Sequence, residues 1–144
     1  MIYISHRGNI KGKSREHENT FAYINDALAL DYYVEVDVWY TNRNLYLGHD
    51  RPDLAVQIEY LQNPKIICHA KNREAIKHLQ ENNTHWFWHQ TDDYTLTSKG
   101  WIWAYPGKQP VGNNCIAVMP ENMTSEIRGF AGICSDIIGT YRND

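Results

Sequence analysis

The chain has 144 residues, of which 42% are hydrophobic, and its 14 basic and 17 acidic side chains give a formal net charge of −3. This length fits one domain spanning 1–144, and the apolar content supplies a core and excludes a disordered chain. The charge balance gives no reason to expect nucleic acid or a membrane surface as a partner. Because no run approaches the ~18 apolar residues of a membrane span and no secretory signal precedes the first strand, we expect a cytoplasmic protein without a transmembrane segment.

The three cysteines, Cys68, Cys115 and Cys134, are odd in number and include no CxxC pair. They therefore indicate neither a disulfide framework nor a zinc ribbon. Each lies in an apolar run, which predicts a reduced and buried thiol.

Short runs of β-branched, aromatic and other apolar residues alternate with turn residues along the chain. Eight runs are predicted as strands: 2–5, 33–39, 45–48, 65–69, 85–89, 101–105, 115–119 and 132–136. Residues 41–44 are too few for a crossover helix and predict a tight turn between two strands.

Helices are predicted between some of these strands. Thr20 can cap a helix whose apolar stripe is Phe21, Ile24, Ala27 and Leu28. Asn72 can cap a second helix that carries Ala75, Ile76 and Leu79. Two shorter helices are predicted near Pro52 and Pro120, because proline suits the first helical turn.

Alternating strands and helices favour an α/β fold with a mostly parallel sheet. Eight strands predict a compact (β/α)8 TIM-type barrel with shortened or missing helices. Such barrels usually need about 200 residues or more, so an incomplete or flattened barrel is the alternative.

Glu35 and Asp37 lie two apart on the second predicted strand, so both side chains point the same way and the neighbouring valines point the other way. Two carboxylates that share one buried face repel each other unless a cation or strong donors compensate. Oxygen ligands favour a hard divalent ion such as Mg2+ or Ca2+. The alternative is a structural pair satisfied by Arg7, Lys71 and backbone donors.

Titratable residues also gather where other predicted strands end, as in the active sites of barrel enzymes. The histidines at these ends are His6, His49, His69 and His89, and the last strand ends at Asp136. The other three histidines, His17, His78 and His85, are predicted to be structural or exposed.

Four motifs in order resemble the N-terminal signature of the glycerophosphodiester phosphodiesterase family, which reads HRG, ENT, E-x-D and HD. Here they are Ser5-His6-Arg7-Gly8, Glu18-Asn19-Thr20, Glu35-Val36-Asp37-Val38 and Gly48-His49-Asp50. Cys134-Ser135-Asp136 is similar to the family's last strand, which ends in an aspartate. The motif-rich part of the resemblance covers residues 2–50.

The resemblance implies a (β/α)8 barrel that cleaves phosphodiesters with one divalent cation. It implies general acid and base roles for His6 and His49, and metal binding by Glu35 and Asp37. It also implies that Arg7 contacts phosphate, and that Glu18 ties down the loop after the first strand. A cation with Arg7 and Lys71 would stabilise the charge that builds on the phosphate.

The sequence departs from the family pattern on the fourth strand, where the family has E-x-K and this chain has His69-Ala70-Lys71. If His69 is the third ligand, its imidazole suits Mn2+ or Zn2+ better than Ca2+; otherwise water fills that position. Residues 51–64 are also too few for the small subdomain that the family inserts after its HD motif.

Two further residues are candidates for substrate contact. Trp103 could stack on a glycerol or sugar face, or it could pack in the core. His89 could touch the substrate together with Asp92, or it could close a buried strand before an Asx-type turn.

The first functional hypothesis is hydrolysis of a glycerophosphodiester or a similar polyol- or sugar-linked phosphodiester, a small-molecule substrate. The second is an amidohydrolase-type metal hydrolase, although such enzymes begin with an H-x-H pair that is missing here. The third is a non-catalytic descendant that binds phosphate esters. Thin helical cover also makes a homo-oligomer an expectation, because self-association would bury exposed apolar surface.

Overall fold

The computed structural model describes residues 1–123 and 126–143. Within them lie four short α-helices, α1 to α4, at Phe21–Ala29, Ile58–Leu61, Arg73–Glu81 and Ile138–Arg142, and a 3-10 turn at Pro120–Asn122. Ten strands, β1 to β10, lie at Ile2–His6, Tyr33–Thr41, Asn44–Leu47, Leu54–Val56, Ile66–Ala70, His85–Phe87, Tyr94–Leu96, Ile102–Ala104, Cys115–Val118 and Gly132–Ser135. No helix in these two ranges is long and apolar enough to cross a membrane.

The strands form one curled mixed sheet, a half-barrel. Along the curl the order is β6, β5, β2, β1, β10, β9, β8 and β7, and all neighbours are parallel except β7 and β8. β3 and β4 extend from the far end of β2 as an antiparallel meander. The Ser98 N–H donates to the Trp86 carbonyl at 2.7 Å, but no strand pairing joins β6 to β7 in the described residues.

The predicted (β/α)8 TIM-type barrel is therefore wrong. A barrel of that kind needs a helix after each of eight parallel strands, whereas the described links β6–β8, β8–β9 and β9–β10 hold only a strand, coil or a 3-10 turn. The outer face of β9 is covered by Phe130 from a loop, where a barrel would place a helix. The run 45–48 forms β3, which pairs antiparallel to β2 instead of joining a parallel ring.

Several local predictions are confirmed. The Thr20 side chain accepts from the Tyr23 N–H and caps α1, and the Asn72 side chain accepts from the Ala75 N–H and caps α3. Pro120 begins a 3-10 turn. The helix predicted near Pro52 begins instead at Ile58, after the short strand β4. The three cysteines are free and buried.

The two faces of the sheet have different cores. On the outer face, Val34, Val36 and Val38 pack with the buried residues of α1 and α3. On the inner face, a second apolar cluster holds Ile4, Ile67, Phe87, Trp103, Ile116, Val118 and Cys134. Because side chains alternate between the two faces along each strand, His6 on β1, Glu35 and Asp37 on β2, and His69 on β5 also point to the inner face.

Gly48 provides a test of the turn that leads from β3 to His49. Gly48 and Gly12 both have a large positive φ, +153° and +148°. A Cβ on Gly48 would overlap the Arg51 carbonyl oxygen, whereas a Cβ on Gly12 would meet nothing within 4 Å in the described structure. We expect Gly12→Ala to lower the free energy of unfolding by about 1 kcal/mol and Gly48→Ala to lower it by about 3 kcal/mol or more. Urea unfolding measures both values, and equal losses would contradict the clash.

His85 provides a test of how β6 meets the chain beyond β7. The His85 Nε2 lies 2.7 Å from the Thr97 hydroxyl in a buried contact. Burial, with a smaller contribution from the Lys99 charge, lowers the pKa of His85 from 6.5 to about 4. As pH falls, the unfolded chain takes up this proton first, so the stabilising contribution of neutral His85 is complete above pH 6.5 and is lost progressively between pH 6.5 and about 4.

We therefore expect the difference in unfolding free energy between the wild type and His85→Gln to narrow by about 1 to 2 kcal/mol between pH 7 and pH 4.5. Comparing the two proteins cancels the contribution of carboxylates that titrate in the same pH range, because both proteins contain them. Urea unfolding at both pH values checks this, and an unchanged difference would show that folding does not lower the pKa of His85.

Candidate active site

Strand register brings the predicted metal-binding residues together on the inner face. His6 on β1 is the register partner of Glu35 on β2, and Asp37 on β2 is the partner of His69 on β5. Glu35, Asp37 and His69 each offer a ligand atom within 4.8 Å of the other two. The period-two argument from the sequence therefore places the two carboxylates correctly, on one side of the sheet.

Both carboxylates are buried and only partly satisfied. Glu35 is 2% exposed and Asp37 is 0% exposed. Among the described residues, one oxygen of each, Glu35 Oε2 and Asp37 Oδ1, makes no hydrogen bond. A buried carboxylate oxygen without a donor is costly, so these two oxygens are available to bind a cation.

The remaining oxygen of Asp37 is held firmly. Arg7 Nε lies 2.9 Å from Asp37 Oδ2, and the Asn19 amide donates to the same oxygen at 2.9 Å. Asn19 Oδ1 also accepts from the Asp37 N–H at 3.0 Å. Lys71 Nζ is more distant, 3.9 Å from Asp37 Oδ1. Asp37 thus keeps one oxygen for Arg7 and Asn19 and presents the other to His69.

The environment separates the pKa values of the two acids. Burial, and then repulsion from Asp37, raises the pKa of Glu35. Burial alone would also raise the pKa of Asp37, but the 3.4 Å contact with His69 and the charge of Arg7 hold it well below its usual range. Asp37 is therefore ionised at neutral pH, while Glu35 takes up a proton more readily than an ordinary glutamate.

His6 lies beside the carboxylates and is oriented by Asp136. The His6 Nδ1 is 2.7 Å from Asp136 Oδ1, which also accepts from the Asn9 amide at 2.8 Å. The other ring nitrogen, Nε2, lies 3.6 Å from Glu35 Oε2. Burial lowers the pKa of His6, but the hydrogen bond to Asp136 and the charge of Glu35 outweigh it and raise the pKa overall.

The loop between β1 and α1 supplies the groups that surround Asp37. Arg7 and Asn19 both have φ of 58°, a left-handed conformation that is uncommon outside glycine. Arg7 Nη1 lies 3.3 Å from Glu18 Oε1, and the Asn9 amide reaches Glu18 Oε2 at 3.3 Å. Glu18 therefore braces this loop from within, in line with the tying role that the resemblance implies.

His49 lies in a cavity of its own, next to Arg7. Its side chain is 41% exposed and its Nδ1 is 2.7 Å from Asp50 Oδ1. Together with Arg7, Glu18 and Asn19, it lines a cavity of about 260 Å3. Glu35, Asp37 and His6 do not line that cavity, so Arg7 and Asn19, which both contact Asp37, connect the carboxylate cluster to the cavity of His49.

Lys71 and His89 lie on the other side of the cluster. With His69 and Trp88 they line a cleft of about 390 Å3. The His89 ring stacks on Tyr105 with 3.6 Å between ring centres, and its Nε2 bonds to the Asp92 carbonyl oxygen. β6 ends at Phe87, so His89 is in the loop after the strand, where its side chain reaches this cleft.

Trp103 is in the core. It is 2% exposed and stacks on Phe87, which is 1% exposed and stacks in turn on the His69 ring. Trp103 therefore packs in the core, which is one of the two possibilities that the sequence left open. It supports His69 indirectly, through Phe87.

Sequence reasoning missed three residues of this site. The Asn19 side chain bonds to both the carboxylate and the backbone N–H of Asp37, Asn9 shares Asp136 with His6, and Tyr105 stacks on His89. Asn19 is the middle residue of the ENT motif, so that motif held a signal. Asn9 and Tyr105 had none, since their partners lie far away in the chain.

Comparison with protein families, curated proteins and solved structures gave no match for this chain.

Two His–Asp pairs of equal length provide a matched test of burial. The His6–Asp136 and His49–Asp50 contacts are both 2.7 Å, but the Asp136 side chain is 16% exposed and that of Asp50 is 88% exposed. We expect Asp136→Ala to lower the free energy of unfolding by about 1 to 3 kcal/mol, because His6 and Asn9 lose a buried acceptor. Asp50→Ala should lower it by less than about 0.5 kcal/mol. Urea unfolding in the presence of a chelator measures both, and a similar loss in the two variants would contradict a structural role for Asp136.

Proposed function

We propose that this protein is a metal-dependent phosphodiesterase that hydrolyses a glycerophosphodiester or a similar polyol- or sugar-linked phosphodiester. The observation that carries the proposal is the pair of buried carboxylates with one unsatisfied oxygen each, placed between an imidazole, His6, and a guanidinium, Arg7. The motif resemblance supports the same activity.

The residues of the cluster fit a divalent cation. One oxygen of each carboxylate and an imidazole nitrogen lie close enough to share one ion, and each carboxylate has an oxygen that lacks a hydrogen-bond donor. Glu35, Asp37 and His69 would hold it. When bound, such an ion would stabilise negative charge on the phosphate oxygens.

The cations around the cluster suit a phosphodiester. Arg7 contacts Asp37 through Nε and Glu18 through Nη1, and it also lines the neighbouring cavity, where its remaining N–H groups can bind a phosphate oxygen. Lys71 approaches from the opposite cleft and supplies a second positive charge. Phosphate between them would be bound on both sides, which orients the ester for attack.

His6 and His49 would share the proton transfers. Asp136 holds His6 Nδ1, so Nε2 remains to exchange a proton, and the raised pKa of His6 favours the protonated form that donates to a leaving alkoxide. Asp50 holds His49 Nδ1 in the same way, which leaves its Nε2 to accept a proton from the attacking hydroxyl.

A second function, binding of phosphate esters without turnover, is favoured by one observation. In the described structure His49 contacts Asp50 and makes no hydrogen bond or ion pair to the carboxylate cluster. An imidazole too distant from the phosphorus would leave a binding protein that keeps Arg7 and Lys71 but lacks one half of the proton relay.

Kinetic measurements test the first function against the second. With the full chain and Mg2+ or Mn2+, we expect turnover of bis(p-nitrophenyl) phosphate or glycerophosphocholine that a chelator abolishes. His6→Ala and His49→Ala should each lower kcat by about 10²- to 10⁴-fold with smaller changes in KM. His78→Gln is the control, because His78 stacks on Tyr40 outside the cluster and should leave kcat unchanged.

The opposite results are equally informative. If no divalent ion supports turnover while glycerol phosphate raises the unfolding temperature, the protein is a phosphate-ester binder. Turnover retained by the His6→Ala variant would show that His6 is not required, and it would contradict the proposed mechanism.

A further inference from the structure

His69 presents its two ring nitrogens to different kinds of group. Nδ1 lies 3.4 Å from Asp37 Oδ1 and 3.7 Å from Glu35 Oε1. Nε2 lies 3.3 Å from the carbonyl oxygen of His89. A carbonyl oxygen only accepts, so Nε2 carries a proton, and the carboxylate oxygens that face Nδ1 also only accept. Nδ1 therefore needs a positive partner, either a second ring proton or a metal ion.

That arrangement is unfavourable without a cation. Without a proton or a metal ion on Nδ1, its lone pair would face two buried carboxylate oxygens and be repelled by both. Asp37 Oδ1, the nearer of the two oxygens, has no hydrogen bond and belongs to a fully buried side chain. One ion among Nδ1 and the two carboxylates would satisfy every one of these groups.

The His69 ring is also held in place. It lies 4.6 Å from the Phe87 ring at an angle of 17°, and Phe87 lies 4.9 Å from Trp103 behind it. Phe87 and Trp103 are almost fully buried, so the surrounding core holds both rings in place. Histidine ligands of metals are commonly fixed in this manner, with the second nitrogen donating to a backbone carbonyl.

We propose that His69, with its tautomer set by the His89 carbonyl, makes this a site for a first-row transition ion such as Mn2+ or Zn2+ in preference to Mg2+ or Ca2+. Mg2+ and Ca2+ are bound in proteins almost entirely through oxygen, whereas imidazole suits the transition ions. The inference rests on the metal centre of the proposed function, and it assigns the selectivity of that centre to one residue and one backbone carbonyl.

Binding of metal to the full chain, first freed of metal, tests this selectivity without reference to turnover. We expect Mn2+ to bind at least about tenfold more tightly than Mg2+ by titration calorimetry. His69→Glu, which makes the ligand set all oxygen, should lower that ratio about tenfold or more. His78→Gln is the control and should leave the ratio unchanged. Equal affinities in the wild type, or a ratio that His69→Glu does not alter, would overturn the proposal.

A measurement on the wild type alone guards against a His69→Glu variant that fails to fold. Zn2+ should shift the His69 Nδ1 resonance in a ¹⁵N NMR spectrum of the imidazoles, while Nε2 keeps its proton. A ring that does not respond, or that loses the Nε2 proton instead, would overturn the assignment.

Failure of the inference and failure of the proposed function give different results. Tight and selective Mn2+ binding without diester hydrolysis would leave the selectivity standing and remove the phosphodiesterase. Turnover that is fastest with Mg2+, with a Mn2+ to Mg2+ ratio that His69→Glu leaves unchanged, would do the reverse.

Discussion

The repulsion between two buried carboxylates on one strand governs how the rest of this site is built. Glu35 and Asp37 are brought to the same face by the pleat of β2 and are almost fully removed from water. The polar groups that contact them are donors or cations: Arg7, Asn19, His6, His69 and Lys71. Two of these, Arg7 and Asn19, adopt left-handed backbone conformations to reach Asp37. Strain of this kind persists only where surrounding contacts compensate for it.

The same surroundings give the two acids different characters. Asp37 receives most of the direct donors and stays charged, while Glu35 is left with longer contacts and a raised pKa. Separation of two neighbouring carboxylates in this way is a common device of enzymes that need one fixed charge and one group that titrates more easily. Here it follows from the placement of one loop, because Arg7 and Asn19 both come from the segment between β1 and α1.

The sequence was a good guide to local structure and a poor guide to topology. The alternation around Glu35 and Asp37, and the capping residues Thr20 and Asn72, act within a few positions and were found correctly. The tight turn at 41–44 was predicted correctly, yet the run 45–48 was counted into a parallel ring, although so short a link allows only antiparallel pairing of β2 and β3. The three-residue strands β4 and β7 are too short for a periodic pattern. Contacts such as His6 with Asp136 span 130 positions and cannot be read from spacing alone.

The tight turn after β2 fixes the positions of the E-x-D and HD motifs relative to each other. Asn42 and Arg43 both have positive φ, 49° and 64°, which matches the twist of a two-residue hairpin. Because Val38 is opposite Leu47, the strand that holds Asp37 also fixes where His49 emerges. Adding a single residue to this turn would turn over the pleat of β3 and displace the imidazole. The length of this hairpin therefore determines where His49 lies relative to Asp37, and an insertion or deletion in it would separate the two motifs.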